Sequence, residues 1–130
     1  MKPSFNNLSL PILVRPDGQM FNQAQTLMRY FGKKYGYYPA DIKEAYEVDK
    51  LSDDFYDNFN AFFGPMFFPP GPAQDGAIEG AVAAATKFCK MNEAKLAKGQ
   101  FMMGPKLYII DFWLGGLYTN IIANPDCYGR

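Results

Sequence analysis

Hydrophobic and polar positions change period several times along the chain. Leu8 to Val14 is a short apolar run bounded by turn residues, and Gln19 to Phe21 is a second extended stretch that returns beside it. Between them lies Arg15-Pro16-Asp17-Gly18. Proline presets φ for the first central position of a type I turn and glycine accepts the left-handed position after it, so the spacing predicts a three-residue hairpin loop. From Asn22 the pattern becomes helical. Ala24, Leu27, Met28 and Phe31 share one face, Asn22 is placed as N-cap and Gly36 as the stop, which predicts about three turns of helix.

Residues 33–39, KKYGYYP, read as a linker. A long amphipathic stretch follows through Ile42, Ala45, Val48, Ser52, Phe55, Phe59 and Phe62, and predicts the longest helix of the chain. Residues 64–76 hold four prolines and three glycines, which argues against regular structure and predicts a loop with Met66, Phe67 and Phe68 tucked against the core. The other reading of this loop is an apolar lip or partner-docking surface. Helix resumes from Ala77 to about Lys98, with Ile78, Ala81, Val82, Ala85, Phe88, Cys89, Asn92 and Leu96 on one side and Gly99 as its stop. Ile109 to Ala123 is apolar nearly all round and predicts a central buried helix. Within it, Gly115 and Gly116 read as a site of close helix approach, and Trp113 and Tyr118 as packing residues.

A chain of 130 residues, 48% of them hydrophobic and 17% aromatic, has the size and content of one cored domain. Thirteen basic residues balance thirteen acidic ones, so no net field draws nucleic acid or an anionic membrane. Histidine is absent, which excludes Ser-His-Asp and Cys-His machinery and an HExxH zinc site within this chain. The two cysteines, Cys89 and Cys127, form neither a metal clip nor a dense disulfide framework, and a reducing compartment fits them. No stretch has the roughly 20 apolar residues of a membrane span or the form of a signal peptide. The sequence reads as cytoplasmic, leaving association with an organellar or cytoskeletal complex open.

Two extended segments and a helix, followed by an all-helical remainder, carry a resemblance. LPIL, the PDG turn, Gln23-Ala24 and LMRYFGKKYG resemble the second half of the thioredoxin-like domain of cytosolic glutathione transferases. EAYEVDKLSDDFYD and KGQFMMGPKLYIIDFWLGGL are similar to that family's helical domain, nearest its sigma, mu and alpha group. The likeness covers nearly the whole chain. It implies an α+β, mostly helical fold: a partial thioredoxin-like hairpin plus helix over residues 1–36, then a helical C-terminal domain over 37–130.

The resemblance also implies site residues. Pro11 matches the family's cis-proline, preceded by the residue, here Leu10, whose backbone pairs with the cysteinyl part of glutathione. Gln23 matches the glutamine that grips the γ-glutamyl end. Ala24 stands where the family has serine, keeping the main-chain N–H at a helix N-terminus and losing the hydroxyl, which implies binding weaker by roughly 1 to 2 kcal/mol. Asp53 matches an acid that reaches across a dimer toward the other subunit's glutathione, while Asp49, Asp53, Asp54 and Asp57 also read as a solvated helix face. Asp111 matches a helix-capping aspartate whose partner position holds Tyr108, a residue unable to make the usual reciprocal cap.

The family's activating tyrosine, serine or cysteine lies on the first strand or the loop after it, ahead of the point where this sequence begins, so no catalytic residue is carried over. Three functions follow. One is a transferase that conjugates glutathione to electrophiles or isomerises a small lipid once completed by a missing N-terminal segment. Another is a truncated, inactive family member serving as an interaction subunit, docked on a larger assembly through the sheet edge that the missing strand would leave open. A third is a noncatalytic glutathione or apolar-ligand carrier. Glutathione is the implied ligand, with no metal and no nucleic acid, and the family's dimerisation implies a homodimer or related heterodimer through the helices starting near Asn22 and Asp41.

Overall fold

The hairpin forms where the turn chemistry puts it. In a computed structural model describing residues 10–124 and 126–128, β1 (Ile12–Val14) pairs antiparallel with β2 (Met20–Asn22) in the register Ile12 to Asn22, Leu13 to Phe21 and Val14 to Met20. The Gly18 N–H donates to the Arg15 carbonyl at 2.9 Å, the Arg15 N–H donates to the Gln19 carbonyl at 2.8 Å, and Gly18 sits at φ +82. That is the three-residue loop expected. The strand begins later than expected, at Ile12, and Leu8 and Ser9 lie outside the described residues.

Helix α1 (Ala24–Tyr35) buries Leu27 and ends at Gly36, whose N–H donates to the Gly32 carbonyl. Its N-cap is Gln23, not Asn22, because Asn22 is the last ladder residue of β2 and its backbone belongs to the sheet. Lys33 to Tyr35 complete the last turn of α1, so the linker read over 33–39 shrinks to residues 36–41. The Asp41 carboxylate then accepts from the Lys43 and Glu44 N–H groups and starts α2 (Ile42–Asp57).

The long second helix is broken. It stops at Asn58, whose amide side chain donates back to the Asp54 carbonyl at 2.8 Å, and a short α3 (Phe59–Phe63) continues beyond it. The longest helix is instead α4 (Pro72–Leu96), 25 residues. It begins five residues before the expected Ala77, because proline in a helix's first turn lacks only an N–H that would have no partner there. Ahead of it, Gly64–Phe67 forms a 3₁₀ turn, so the proline-rich stretch is less irregular than its composition suggests.

The core lies where α2, α3, α4 and α5 (Ile109–Leu117) meet. Phe55 is its centre. Its ring stands 5.5 Å from Phe62, 5.9 Å edge-on from Phe88 and 5.8 Å stacked on Trp113. Val48, Leu51, Met102, Ile109, Ile110 and Leu117 close the shell around these rings. On α4 the buried stripe is Gln74, Ala81, Phe88 and Asn92, narrower than the face expected: Val82 and Cys89 are exposed.

Helix α5 is entered through Asp111, whose carboxylate accepts from the Tyr108 N–H at 2.9 Å and the Met102 N–H at 2.8 Å, tying the preceding loop to the helix N-terminus. The Tyr108 hydroxyl turns to Glu44 at 3.3 Å. The expected all-round burial does not hold. Ile109, Ile110 and Leu117 are buried, but Phe112 is exposed, and beyond Leu117 the chain loosens into a π-helical segment (Tyr118–Ile122) with Tyr118 and Ile122 exposed. Thr119 and Asn120 donate their side chains to the Gly115 and Gly116 carbonyls at 2.8 Å each, and this back-bonding accompanies the widened helix.

Close helix approach occurs at Gly32, not at the Gly115-Gly116 pair. A Cβ on Gly32 would stand 2.5 Å from the Ile109 Cγ2 methyl and 3.1 Å from Tyr38 Cβ, whereas one on Gly115 meets nothing within 4 Å. The glycine of α1 is therefore what lets it lie against the start of α5, where the Ile109 N–H donates to the Tyr37 carbonyl at 3.0 Å. Gly32→Ala should lower stability by about 1 to 3 kcal/mol through this overlap. Gly115→Ala should raise it by up to about 1 kcal/mol through helix propensity. Urea unfolding of the two variants measures both signs.

Candidate functional site

The hairpin and α1 bring four of the expected residues to one end of the sheet. The last ladder pair, Ile12 with Asn22, leaves Pro11 on one strand and Gln23 on the other as the next residues out. The Leu10-Pro11 peptide bond is cis, and both residues are exposed, Leu10 at 84%. Gln23 is the junction between β2 and α1 and takes φ 70, ψ 107, the only positive φ of a non-glycine residue among those described. Such a conformation costs roughly 1 to 3 kcal/mol and persists only where the surroundings impose it. Here the constraint is a strand that must turn into a helix with no intervening loop. Ala24 follows as the first residue of α1, with no acidic side chain in the first turn to occupy its free N–H groups.

Asp53 reaches the same two helices by a different route. Arg29, one turn beyond Gln25 on α1, donates Nε to Asp49 at 2.7 Å, Nη2 to Asp53 at 2.8 Å and Nη1 to the Gln25 side-chain oxygen at 3.1 Å. The Tyr38 hydroxyl donates to the other Asp49 oxygen at 2.6 Å. One guanidinium thus joins α1 to two carboxylates spaced i, i+4 on α2. Burial alone would lower the pKa of Arg29, but the bonds to Asp49 and Asp53 outweigh it and hold the guanidinium firmly charged. Asp49 and Asp53 are therefore engaged within the chain, and the acidic run is not uniformly a solvated face. Asp54 pairs only loosely, with Lys50 at 3.4 Å.

Arg29, Gln25 and Tyr38 carried no functional weight in the sequence, although the signal was present. Gln25 and Arg29 are four residues apart on one helix, as are Asp49 and Asp53 on the next. What the sequence did not supply was the facing of the two helices.

A second feature lies on the far side of α4. An open groove of about 760 Å³ runs between α4 and the π-helical segment, walled by Val82, Ala85, Leu117, Ile121 and Ile122, with Cys89 and Lys90 on its rim. Among the described residues no group of three or more cysteine, aspartate or glutamate side chains is placed to hold a metal ion, and no helix is long and apolar enough to cross a membrane.

The sequence of this hairpin and helical body has relatives among known proteins. No family model matches the chain. It is 31% identical over 121 residues to Glutathione S-transferase A6 of Rattus norvegicus, covering 86% of this chain and 54% of that protein. It is 32% identical over 130 residues to Glutathione S-transferase 3 of Caenorhabditis elegans, covering 94% and 62%. To Glutathione S-transferase 1 of Ascaris suum it is 29% identical over 131 residues, covering 95% and 61%. These three similarities support an assignment to the cytosolic glutathione transferase family, and the fold is consistent with a partial thioredoxin-like piece followed by a helical C-terminal domain of that family. It spans between half and two thirds of the length of these relatives.

The Tyr38 phenol is pushed up to about 12, first by burial and then by its bond to Asp49. The folded-state value lies above the unfolded one, near 10, so the fold favours the neutral phenol. Its contribution is complete below pH 10 and is lost as pH climbs from 10 to 12. Tyr38→Phe lacks this loss, and its stability should fall by roughly 1 to 2 kcal/mol less than that of the unmodified chain across that window, allowing for partial exposure. Urea midpoints at about pH 9.5 and about pH 11.5 provide the comparison.

Proposed function

We propose that the hairpin end of this chain binds glutathione and that the chain contributes the glutathione-binding part of a transferase. The observation that carries the reading is the strained Gln23 at the mouth of α1, beside Leu10-Pro11 at the end of the ladder. In this reading the exposed Leu10 backbone pairs with the cysteinyl part of the tripeptide, Gln23 takes the γ-glutamyl end, and the Ala24 N–H donates to its carboxylate. The serine hydroxyl of the family pattern has no counterpart at Ala24, so this end of the ligand is held by one donor fewer. Residues 1–36 form the binding portion and 37–130 the helical domain that supports it. The chemistry of the transferase, conjugation to an electrophile or isomerisation of a small lipid, needs an activating hydroxyl or thiol, which the side chains of Leu10, Pro11, Gln23 and Ala24 do not carry.

A second reading is supported by β1. Among the described residues its outer edge has no strand partner, and an open edge pairs readily with another chain. In that reading the chain is a noncatalytic subunit docked on a larger assembly through this edge. Asp53, bonded to Arg29 within its own chain, still has an exposed carboxylate for a ligand held by a second copy.

Isothermal titration of the full chain with reduced glutathione separates the two. On the glutathione reading, Ala24→Ser tightens binding about tenfold by restoring one donor to a carboxylate, and Gln23→Ala weakens it by at least as much. Absence of saturable binding by both the unmodified chain and the Ala24→Ser variant overturns the glutathione reading and leaves the noncatalytic one.

A further inference from the structure

The loop between α3 and α4 puts aromatic side chains in water on a backbone that is held still. The sequence from Asn58 to Gln74 contains no charged residue over 17 positions, in a chain that is 20% charged. Instead of tucking inward, Phe67 is 85% exposed, and Met66 and Phe68 are exposed too. An exposed phenylalanine in a loop is usually a mobile one, but this loop is pinned from beneath. Gln74, 1% exposed, directs its amide Nε2 at the carbonyls of Pro65 at 3.2 Å, Phe68 at 3.3 Å and Tyr128 at 2.9 Å, and Pro65 itself is buried. One buried side chain therefore fixes both ends of the Pro65 to Phe68 turn while the rings it carries face out.

The backbone after the turn is extended. Phe68 has φ −94 and ψ 141, close to polyproline II, and Pro69, standing before another proline, is restricted to the same region. Phe68 and Pro69 are thus extended, preceded by exposed Phe67, and the chain then turns at Pro70 and Gly71, the latter at φ +148, into α4. A segment without free N–H groups at Pro69 and Pro70, without charge and already ordered loses little entropy when an aromatic-lined groove closes on it.

We propose that Phe67 to Pro70 is a docking element for a protein partner with an aromatic-lined, proline-accepting groove. The element is on α4's N-terminal side and independent of the glutathione reading. Because it carries no charge, its binding depends little on salt. The test is NMR titration of the isotope-labelled full chain with a purified EVH1 domain, a proline-recognition module, as probe. Saturable shifts of the Met66, Phe67, Phe68 and Gly71 amides are expected, changing less than about twofold in affinity as salt is raised. Phe67→Ser, at a position too exposed to unfold the chain, and Pro69→Ala should each weaken binding about tenfold with an unchanged thermal midpoint. No shift at about 1 mM probe, an affinity untouched by both substitutions, or shifts of these amides that follow the chain's own concentration without probe would overturn the proposal.

Discussion

Burial of Phe55 is the constraint on which the arrangement of the helices depends. The residue projects from α2 into the space between α3, α4 and α5, and each of those elements returns one aromatic ring to it: Phe62, Phe88 and Trp113. No pair of these helices encloses the ring alone. Removing such a ring would leave a cavity where four elements converge, a loss on the order of 3 to 5 kcal/mol. The break at Asn58 follows from the same demand, since α3 must change direction to bring Phe62 back toward Phe55.

The candidate ligand end is attached to that core at two points of different chemistry. One is steric, the contact of Gly32 with Ile109, which sets how closely α1 approaches α5. The other is electrostatic, the Arg29 guanidinium gripping Asp49 and Asp53 on α2. The small sheet of β1 and β2 contributes little of its own to stability, because a two-stranded hairpin is marginal in water. The orientation of Gln23 and Ala24 is therefore inherited from the helical body through α1.

The surface left over is divided in character. The α1 to α2 side is tied by charge, the α4 to α5 side opens an apolar groove, and the loop before α4 presents uncharged aromatic residues on a fixed backbone. Helix α5 shows why composition misleads here. Its run is apolar all round, but only the side facing Phe55 and its shell is covered by described elements, so Phe112, Tyr118 and Ile122 lie in contact with water.

Local chemistry was legible in the residue string. The Arg15 to Gly18 turn, the stop at Gly36 and the periodic face of α1 all depend on residues within a few positions of one another, where steric and hydrogen-bonding preferences act without help from the rest of the chain, whereas the capping role of Asp111 came with the family resemblance. The resemblance to glutathione transferases likewise followed from ordered short motifs. What needed the tertiary structure was everything settled by distant neighbours. Asn22 lost the cap to Gln23 because a strand partner claimed its backbone. Gly32, unremarked in sequence, became the close contact because Ile109 lies against it, 77 positions further on. Asp49 and Asp53 became partners of Arg29 only when α1 and α2 faced each other. Phe67 stayed in water because Gln74 holds its turn from below. Short-range preference shows in a sequence, whereas which side of a helix is covered depends on elements whose positions no local pattern encodes.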